Sequence, residues 1–224
     1  MQIYAMSDIH GHLQEFEAAL ELVELSGDNK LILLGDYVHS GADSYGVIKK
    51  IMKLQQEYGT EKIIALMGNH EEYVIAGSAS VQELLSDEVY DSGSADDDNY
   101  IIFMQNLPHY YVEENIIFVH AGIYEEAGEE WEYESIDRDY LEKFPPETGC
   151  FEGGMIIVAG HVGTAIITGN PRFHDIYFDG ESHYYIDGTV YDSGVINVLM
   201  YDADEEIFYQ VDESGKYEIE PYES

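Results

Sequence analysis

Positively charged residues are scarce in this chain. Nine Lys and Arg residues stand against 46 Asp and Glu residues, which gives a formal net charge of −37 at pH 7. A surface this acidic repels other polyanions, so we expect neither nucleic acid nor an anionic membrane among the partners. The only arginines are Arg138 and Arg172. Most of the positive charge that attracts a bound anion must therefore come from other sources, for example from metal ions.

Cysteine and long apolar runs are also scarce. Cys150 is the only cysteine, which excludes a disulfide within the chain and fits a reducing cytoplasm, where we expect the protein to be located. No apolar run approaches the roughly 18 residues that a membrane-spanning helix needs. The first six residues predict a core strand and not a signal peptide. A length of 224 residues suits a single domain, residues 1–224, with a sizeable buried core.

Strands and helices alternate in the first third of the chain. Apolar runs at residues 3–6, 31–34 and 62–67 predict buried strands. Apolar residues at helical spacing lie between the first two runs, and a second helix is predicted to begin at Asp43 or Ser44, either of which can cap it. This order predicts a mainly parallel sheet with right-handed crossovers.

From residue 108 onwards the predicted strands are closely spaced. They cover residues 109–112, 116–119, 156–159, 175–178, 183–186, 195–201 and 206–211. Such hairpin-type spacing predicts antiparallel pairing. Irregular segments near 76–106 and 125–154 interrupt the pattern, and we expect them to form caps or loops, the first with a short helix around 81–85 and another over 100–107. Two sheets packed face to face, with helices outside, accommodate both halves.

Potential metal ligands lie at or just after the predicted strands. They are Asp8, His10, Asp36, Asn69, His120 and His161. An open α/β sheet collects its ligands at such strand ends. Six donors exceed the four that a tetrahedral metal takes. Their number therefore predicts two neighbouring metals that share a bridging carboxylate, a centre suited to hydrolysing phosphate esters.

The donors divide between the two predicted metals. Asp8 and His10 are two residues apart in an extended segment and face the same side, where they suit a first metal such as Mn²⁺, Fe or Zn²⁺. Asp36 can bridge both metals through its two oxygens. Asn69 supplies a neutral amide oxygen, and the two later histidines complete the second metal. Water held between two such ions loses a proton near neutral pH, which makes it a nucleophile.

Short motifs around these donors carry a resemblance to a known family. They are Asp8-Ile9-His10-Gly11-His12, Gly35-Asp36-Tyr37-Val38, Gly68-Asn69-His70-Glu71, Val119-His120-Ala121-Gly122, Gly160-His161 and Ile186-Asp187-Gly188-Thr189. In them the chain resembles the calcineurin-like metallophosphoesterase superfamily, most closely its bacterial serine/threonine phosphoprotein phosphatases and the related diadenosine tetraphosphate hydrolases. The resemblance implies an α/β fold, a four-layer αββα sandwich of two mixed sheets flanked by helices. It also implies two divalent metal ions, Mn²⁺ foremost, with Fe or Zn²⁺ as alternatives.

The resemblance also assigns roles beyond the metal ligands. His70 matches the histidine that protonates the leaving oxygen, with a structural role at a helix start as the alternative. Asn69 and Arg138 match residues that contact the substrate phosphate, although Arg138 can equally form a plain surface ion pair. We expect His12 to be structural or to support the ligands from behind.

The chain departs from the family at His39 and Ser40, where the family usually has an Asp-Arg pair. The aspartate normally orients the catalytic histidine, and His39 has no negative charge with which to stabilise an imidazolium at His70. Ser40 removes an arginine that would hold phosphate with two hydrogen bonds. Losing one such contact costs on the order of 2–4 kcal/mol of transition-state stabilisation. The sequence thus predicts an intact metal centre with a depleted phosphate clamp.

The leading hypothesis is a metal-dependent phosphoesterase in which a metal-bound hydroxide attacks phosphorus and His70 assists the leaving group. Its predicted substrate is a phosphoserine or phosphothreonine protein or a small phosphoester. Alternatives with the same chemistry are a dinucleoside polyphosphate hydrolase and a phosphodiesterase. A hypothesis of another class is a metal-binding, weakly catalytic protein that recognises phosphorylated or basic partners, favoured by His39, Ser40 and the acidic surface. A nuclease is disfavoured because no basic, aromatic stretch is present to follow a nucleic-acid backbone. The sequence specifies no oligomeric state.

Overall fold

The computed structural model describes residues 1–77 and 95–223. The strands in this part are β1 (Gln2–Met6), β2 (Lys30–Leu33), β3 (Ile63–Ala65), β4 (Tyr110–Glu113), β5 (Ile116–Val119), β6 (Ile156–Ala159), β7 (Tyr177–Phe178), β8 (His183–Tyr185), β9 (Val198–Asp202), β10 (Ile207–Asp212) and β11 (Gly215–Glu218). The helices are α1 (Leu13–Leu20), α2 (Ser44–Tyr58), α3 (Asn69–Ile75), α4 (Ala95–Gln105), α5 (Trp131–Glu134), α6 (Asp137–Glu142), α7 (Thr164–Thr168) and α8 (Val190–Ser193), with a 3₁₀ helix at Glu125–Glu130. None of these described helices is long and apolar enough to cross a membrane.

The first sheet has the strand order β11-β10-β9-β1-β2-β3. The predicted parallel pairing of its first three strands is confirmed, with Tyr4 of β1 opposite Leu31 of β2 and Ile63 of β3 opposite the same Leu31. On its other side β1 pairs antiparallel with β9, and β10 and β11 continue antiparallel. The sheet is therefore mixed, and β11 lies beyond the last strand that the sequence predicts.

The second sheet has the order β4-β5-β6-β8-β7. Its three central strands are parallel, whereas β4 and β7 are antiparallel to their neighbours. The predicted antiparallel pairing is therefore wrong for β5, β6 and β8. Helices α5 and α6 lie between β5 and β6, and α7 lies between β6 and β8, so these connections are crossovers and not hairpins. The helices have four, six and five residues, too few to leave a clear helical period in the sequence.

Alternate strand residues fill the core between the two sheets. Ile3 and Ala5 of β1 face Phe118 and Val158 of the second sheet, and all are buried. The intervening residues of β1, such as Met6, face the other way and pack in the cluster that includes α1 and α2. Helices α5 and α6 pack in the same hydrophobic cluster with residues of the second sheet, such as Ile117 and Ile157. The order helix, sheet, sheet, helix confirms the predicted αββα sandwich.

The predicted helices and loops have mixed outcomes. Helix α2 begins where predicted, because the Asp43 carboxylate accepts a hydrogen bond of 2.7 Å from Gly46 N. Helix α4 begins at Ala95, five residues before the predicted start at residue 100. Residues 81–85, where a short helix is predicted, lie outside the described residues. The irregular segment 125–154 contains the 3₁₀ helix, α5 and α6.

Candidate metal centre

The predicted ligands lie in loops that follow strands. Asp8 follows β1, Asp36 follows β2, and Asn69 begins α3 shortly after β3. On the second sheet His120 directly follows β5, and His161 comes two residues after β6. Strands whose carboxyl ends meet at one edge bring such loops together, which is how residues far apart in the chain reach one site.

Hydrogen bonds join these loops at the site, and one of them runs between the two sheets. The His161 backbone N–H donates to Asp8 Oδ2 at 3.0 Å, and the His70 backbone N–H donates to Asp36 Oδ1 at 3.0 Å. Ser7 Oγ also donates to Asp8 Oδ2. The carboxylates are thus oriented by backbone and hydroxyl donors, which leaves their other lone pairs free.

Two histidines are held in the tautomer that a metal ligand needs. His120 Nδ1 lies 2.9 Å from Leu34 O, and His10 Nδ1 lies 3.2 Å from Val38 O. A carbonyl oxygen only accepts, so Nδ1 carries the proton in both rings. Each Nε2 is therefore an unprotonated lone pair, the state in which imidazole binds a metal.

Three imidazole nitrogens converge on Asp36. Its oxygens lie 3.7 Å from His10 Nε2, 3.8 Å from His70 Nε2 and 3.5 Å from His120 Nε2. Donor atoms of His10, Asp36 and His70 lie within 4.8 Å of one another, and so do donor atoms of Asp36, His120 and His161. Because Asp36 belongs to both groups, it is placed to bridge two metals.

Asn69 adds an amide oxygen to the second group. This oxygen lies 2.9 Å from His120 Nε2. The same end of the amide is 3.3 Å from His161 Nδ1 and 3.2 and 3.3 Å from the two Asp36 oxygens. Acceptor atoms that face one another at these distances are stabilised by a cation between them. The chemistry of the donor set therefore fits two divalent ions.

Burial and mutual repulsion act strongly on the carboxylates of the site. Burial, followed by the charges of Asp8 and Glu71, holds the pKa of Asp36 well above its ordinary value. Burial raises the pKa of Asp8 to about 6. A bound divalent cation would be the largest local charge and would favour the ionised form of each carboxylate.

Several ligands have a left-handed backbone. The φ angles are +53° at Asp8, +47° at His10, +57° at Asp36 and +64° at His161. Non-glycine residues in this region cost about 1–3 kcal/mol each and persist where the surroundings fix them, most often at active sites and ligand clamps. Four of the nine non-glycine residues with positive φ in the described part of the chain are thus residues that the sequence predicts to bind metal.

His70 contacts His39 beside this group. Their Nδ1 atoms are hydrogen-bonded to each other. Burial, followed by the neighbouring imidazoles of His10, His39 and His161, lowers the pKa of His70 to about 3. Burial and His10 also lower the pKa of His39. At the position where the family usually has an aspartate, this chain therefore has a neutral imidazole, that of His39, in contact with His70.

Arg138 and His12 are less closely tied to the site. The Arg138 side chain is exposed on α6 and forms no hydrogen bond or ion pair with residues 1–77 or 99–223. Its helix does adjoin the His120 loop, because Ala121 N donates to Tyr140 O at 2.8 Å. The phosphate-binding role of Arg138 stays a prediction. His12 Nδ1 lies 2.8 Å from the His10 carbonyl, which fits the expected structural role.

Comparison with known proteins agrees with this geometry. A model of the calcineurin-like phosphoesterase family matches residues 1–198. The chain belongs to this family. The symmetrical bis(5'-nucleosyl)-tetraphosphatase of Pseudomonas syringae pv. syringae (strain B728a) is 30% identical over 129 residues, which cover 55% of this chain and 42% of that protein. The protein of the same name from Buchnera aphidicola subsp. Schizaphis graminum (strain Sg) is 33% identical over 129 residues, 55% of this chain and 45% of that protein. The chain thus spans less than half the length of these curated relatives.

Solved structures share the fold of the calcineurin-like phosphoesterase chain. A putative diadenosine tetraphosphatase superposes with a TM-score of 0.65 at 17% identity, covering 94% of this chain and 92% of that one. A cold-active protein tyrosine phosphatase gives a TM-score of 0.67 at 13% identity, covering 98% of this chain and 79% of that one. At these identities the likeness supports the sandwich fold alone.

The structure adds Asp187 to the residues around the centre. This aspartate comes two residues after β8 and is buried, with Thr189 N donating to its Oδ1 at 2.7 Å. Burial and the charge of Asp8 raise its pKa to about 8. Its position shortly after a buried strand, like that of the predicted ligands, and its place in the Ile186-Asp187-Gly188-Thr189 motif are the signals that could have singled it out.

Glu71 also has a role that the sequence does not show. Its side chain is fully buried and accepts hydrogen bonds from four backbone N–H groups, those of Asp36 and Tyr37 at 2.8 Å, Gly68 at 3.1 Å and Val38 at 3.2 Å. The glutamate therefore joins the Asp36 loop to the start of α3. Glu71 belongs to the Gly68-Asn69-His70-Glu71 motif, but the sequence does not indicate that its carboxylate is buried against backbone amides.

Proposed function

We propose that the chain hydrolyses phosphate esters with the help of two divalent metal ions, Mn²⁺ foremost. The first ion would be held by Asp8, His10 and Asp36, and the second by Asp36, Asn69, His120 and His161. One observation supports this proposal most directly. The unprotonated Nε2 atoms of His10 and His120, which lie in loops after different strands, are both close to the oxygens of Asp36. When bound, such ions polarise phosphoryl oxygens and generate the nucleophile from water.

In this proposal His70 gives a proton to the leaving oxygen. His39 Nε2 is buried and has no hydrogen-bond partner. A buried N–H without an acceptor is rarer than an unsatisfied acceptor, so the proton of His39 belongs on Nδ1, where it is donated to His70 Nδ1. His70 then carries its own proton on Nε2, which faces Asp36. The ring is thus oriented as a neutral donor.

A dinucleoside polyphosphate is the favoured substrate class. The curated relatives are named symmetrical bis(5'-nucleosyl)-tetraphosphatases. Within the described ranges, the ion pairs of Asp8 and Asp36 involve histidines alone. A phosphomonoester carries nearly two negative charges at pH 7, whereas an internal phosphate of a polyphosphate carries one. A site surrounded by buried carboxylates and lacking an arginine at position 40 favours the less charged group.

A phosphoserine or phosphothreonine protein and other small phosphoesters are the second candidates. They share the same metal chemistry and need stronger charge neutralisation from the ions themselves. We place the protein in the cytoplasm, in line with its single cysteine.

Activity on a defined substrate panel tests the proposal. Metal-free protein is supplied with Mn²⁺ and assayed on diadenosine tetraphosphate, a phosphopeptide, p-nitrophenyl phosphate and its diester. We expect Mn²⁺-dependent hydrolysis, fastest on the dinucleotide, with a loss of at least about 100-fold in the Asp36→Asn variant. Asp28→Asn, at an exposed position, is the matched control and should not change the rate. Protein that binds two Mn²⁺ ions and hydrolyses none of these compounds would instead be the metal-binding recognition protein.

A further inference from the structure

The Glu142 carboxylate lies beside the candidate metal centre. Glu142 ends α6 and is partly exposed. Its Oε1 accepts a hydrogen bond of 2.5 Å from the hydroxyl of Tyr73 on α3. The centroid of the Tyr73 ring lies 5.9 Å from that of the His70 ring. Two direct contacts thus connect the Glu142 carboxylate to His70.

The helix of Glu142 is also fixed to the loop of a metal ligand. Ala121, the residue after His120, donates its backbone N–H to Tyr140 O of α6 at 2.8 Å. Helix α6 is thus held between α3 and the loop that follows β5. The charge of Glu142 reaches the second group of ligands, since it opposes the fall in the pKa of His161 that burial causes.

Glu142 forms no ion pair among the side chains that the structure describes. Lys143 is its neighbour in the chain, but Lys143 Nζ lies 2.9 Å from Glu147 Oε1. Arg138 lies one helical turn earlier on α6 and is not paired with it. The negative charge at this position is therefore oriented by a hydroxyl group and is not neutralised by a cation.

A fixed negative charge beside the centre acts differently on phosphates of different charge. At neutral pH a phosphomonoester carries nearly two negative charges, whereas a diester or an internal phosphate of a polyphosphate carries one. Like charges repel appreciably within a Debye length, about 10 Å at 0.1 M salt. The ions of the proposed centre would attract both kinds of phosphate, and a nearby carboxylate opposes binding of the doubly charged kind more strongly.

We propose that Glu142 selects against phosphomonoesters in favour of phosphates that carry one negative charge, and that Tyr73 positions its carboxylate. This inference rests on the metal pair of the proposed function, because it concerns the phosphate bound there. Neither residue takes part in a catalytic step. The substrate class that follows is a phosphodiester or an internal phosphate of a polyphosphate chain.

The ratio of activities on two related substrates tests this proposal. Mn²⁺-loaded wild type and Glu142→Gln are assayed on p-nitrophenyl phosphate and bis(p-nitrophenyl) phosphate at neutral pH. Glutamine still accepts the Tyr73 proton but carries no charge. We expect kcat/KM for the monoester to rise about fivefold or more relative to that for the diester. Added salt should narrow the difference between wild type and variant on the monoester, because salt screens the repulsion.

Glu205→Gln is the matched control, because it removes one charge from a similar pair of side chains. Glu205 Oε2 accepts a hydrogen bond of 2.7 Å from the Tyr209 hydroxyl. This pair lies at the turn after β9, beside the start of β1, whereas the predicted ligand Asp8 follows the end of β1. The substrate ratio of this control should equal that of wild type.

Tyr73→Phe separates positioning from simple structural support. Loss of the hydroxyl frees the Glu142 carboxylate to turn into solvent, so the monoester-to-diester ratio should rise, by a smaller factor than in Glu142→Gln. A tyrosine needed only for the fold would lower the melting temperature and change both rates equally. An unchanged ratio in Tyr73→Phe would refute the positioning role of Tyr73.

Binding of inorganic phosphate distinguishes failure of this inference from failure of the proposed function. Phosphate is titrated calorimetrically into Mn²⁺-loaded wild type and Glu142→Gln, and the variant should bind it about fivefold or more tightly. Equal phosphate affinities and equal substrate ratios would overturn the role of Glu142 and leave the hydrolase proposal intact. Tighter phosphate binding by the variant, in a protein that hydrolyses no substrate, would support the role of Glu142 against the hydrolase. A chain that binds neither Mn²⁺ nor phosphate overturns both.

Discussion

A buried histidine outside the metal centre gives a stability prediction with a defined pH range. The side chain of His183, on β8, is 1% exposed; its Nδ1 lies 2.8 Å from Asp179 Oδ2 and its Nε2 lies 3.1 Å from Glu125 Oε1. Both partners accept hydrogen bonds, so both ring nitrogens donate and the ring is charged. Burial alone lowers the pKa of His183, but hydrogen bonds to the two carboxylates raise it to about 9.

The magnitude follows from this pKa. The difference between about 9 in the folded protein and 6.5 for an ordinary histidine corresponds to about 3 kcal/mol of unfolding free energy. Because the folded pKa is raised, this contribution is complete below about pH 6.5 and is lost as the pH rises through 9. Burial opposes ionisation of Asp179, yet the hydrogen bonds from His183 and backbone groups lower its pKa to about 2. That shift reports the same ion pair, so the two are not added.

Urea unfolding of His183→Gln at pH 6 and pH 10 tests this reasoning. The unique tryptophan, Trp131, provides the fluorescence signal. We expect the variant to be about 3 kcal/mol less stable than wild type at pH 6, and the difference to fall to about 1 kcal/mol at pH 10, where only neutral hydrogen bonds are compared. His109→Gln is the control, since His109 is partly exposed and its Nδ1 lies 3.8 Å from an exposed Asp137 oxygen. Equal destabilisation by His183→Gln at both pH values would refute the argument.

Three further predictions concern the site loops and the surface. His39→Asp places a carboxylate beside His70 Nδ1, so turnover of phenyl phosphate, a poor leaving-group ester, should rise at least about tenfold and that of p-nitrophenyl phosphate less; equal changes in steady-state kinetics would contradict this role. The net charge of −37 implies self-repulsion that salt screens, so the melting temperature from scanning fluorimetry should be higher in 1 M than in 0.05 M NaCl, and an unchanged value would count against it. Gly35→Ala should destabilise the fold by about 1–3 kcal/mol or more, because φ is +102° and a Cβ would lie 2.5 Å from Gly68 N. Gly27→Ala, also at positive φ but with nothing within 4 Å, should cost less in the same denaturation assay.

The positions of the candidate ligands could be predicted because they follow apolar runs. Residues 3–6 and 31–34 are buried on both faces, and a chain that leaves such a strand must turn at the sheet edge. Asp8 and Asp36 come directly after these turns, so their spacing along the chain already places them at one edge. Three features could be recognised only in the three-dimensional structure. They are the carbonyl groups that fix the histidine tautomers, the position of Asp36 between the two groups of donors, and the left-handed backbone.

The remaining features depend on contacts that a linear pattern does not contain. The parallel pairing of β5, β6 and β8 was hidden because short helices form the crossovers. The hydrogen bond from Tyr73 to Glu142 joins residues 69 positions apart, and no motif in the sequence connects them. Asp187 and Glu71 stand in short motifs, but in a chain this acidic the sequence does not indicate which carboxylates are buried.

Glu71 fixes the loop after β2 through the backbone N–H groups of residues 36–38. Nearly every substitution leaves the main-chain N–H groups in place, and Glu71 accepts hydrogen bonds from these groups and not from side chains. We therefore expect positions 39 and 40 to accept different side chains without displacement of Asp36. We regard this loop as a segment in which substrate preference can change while Glu71 keeps the backbone in place.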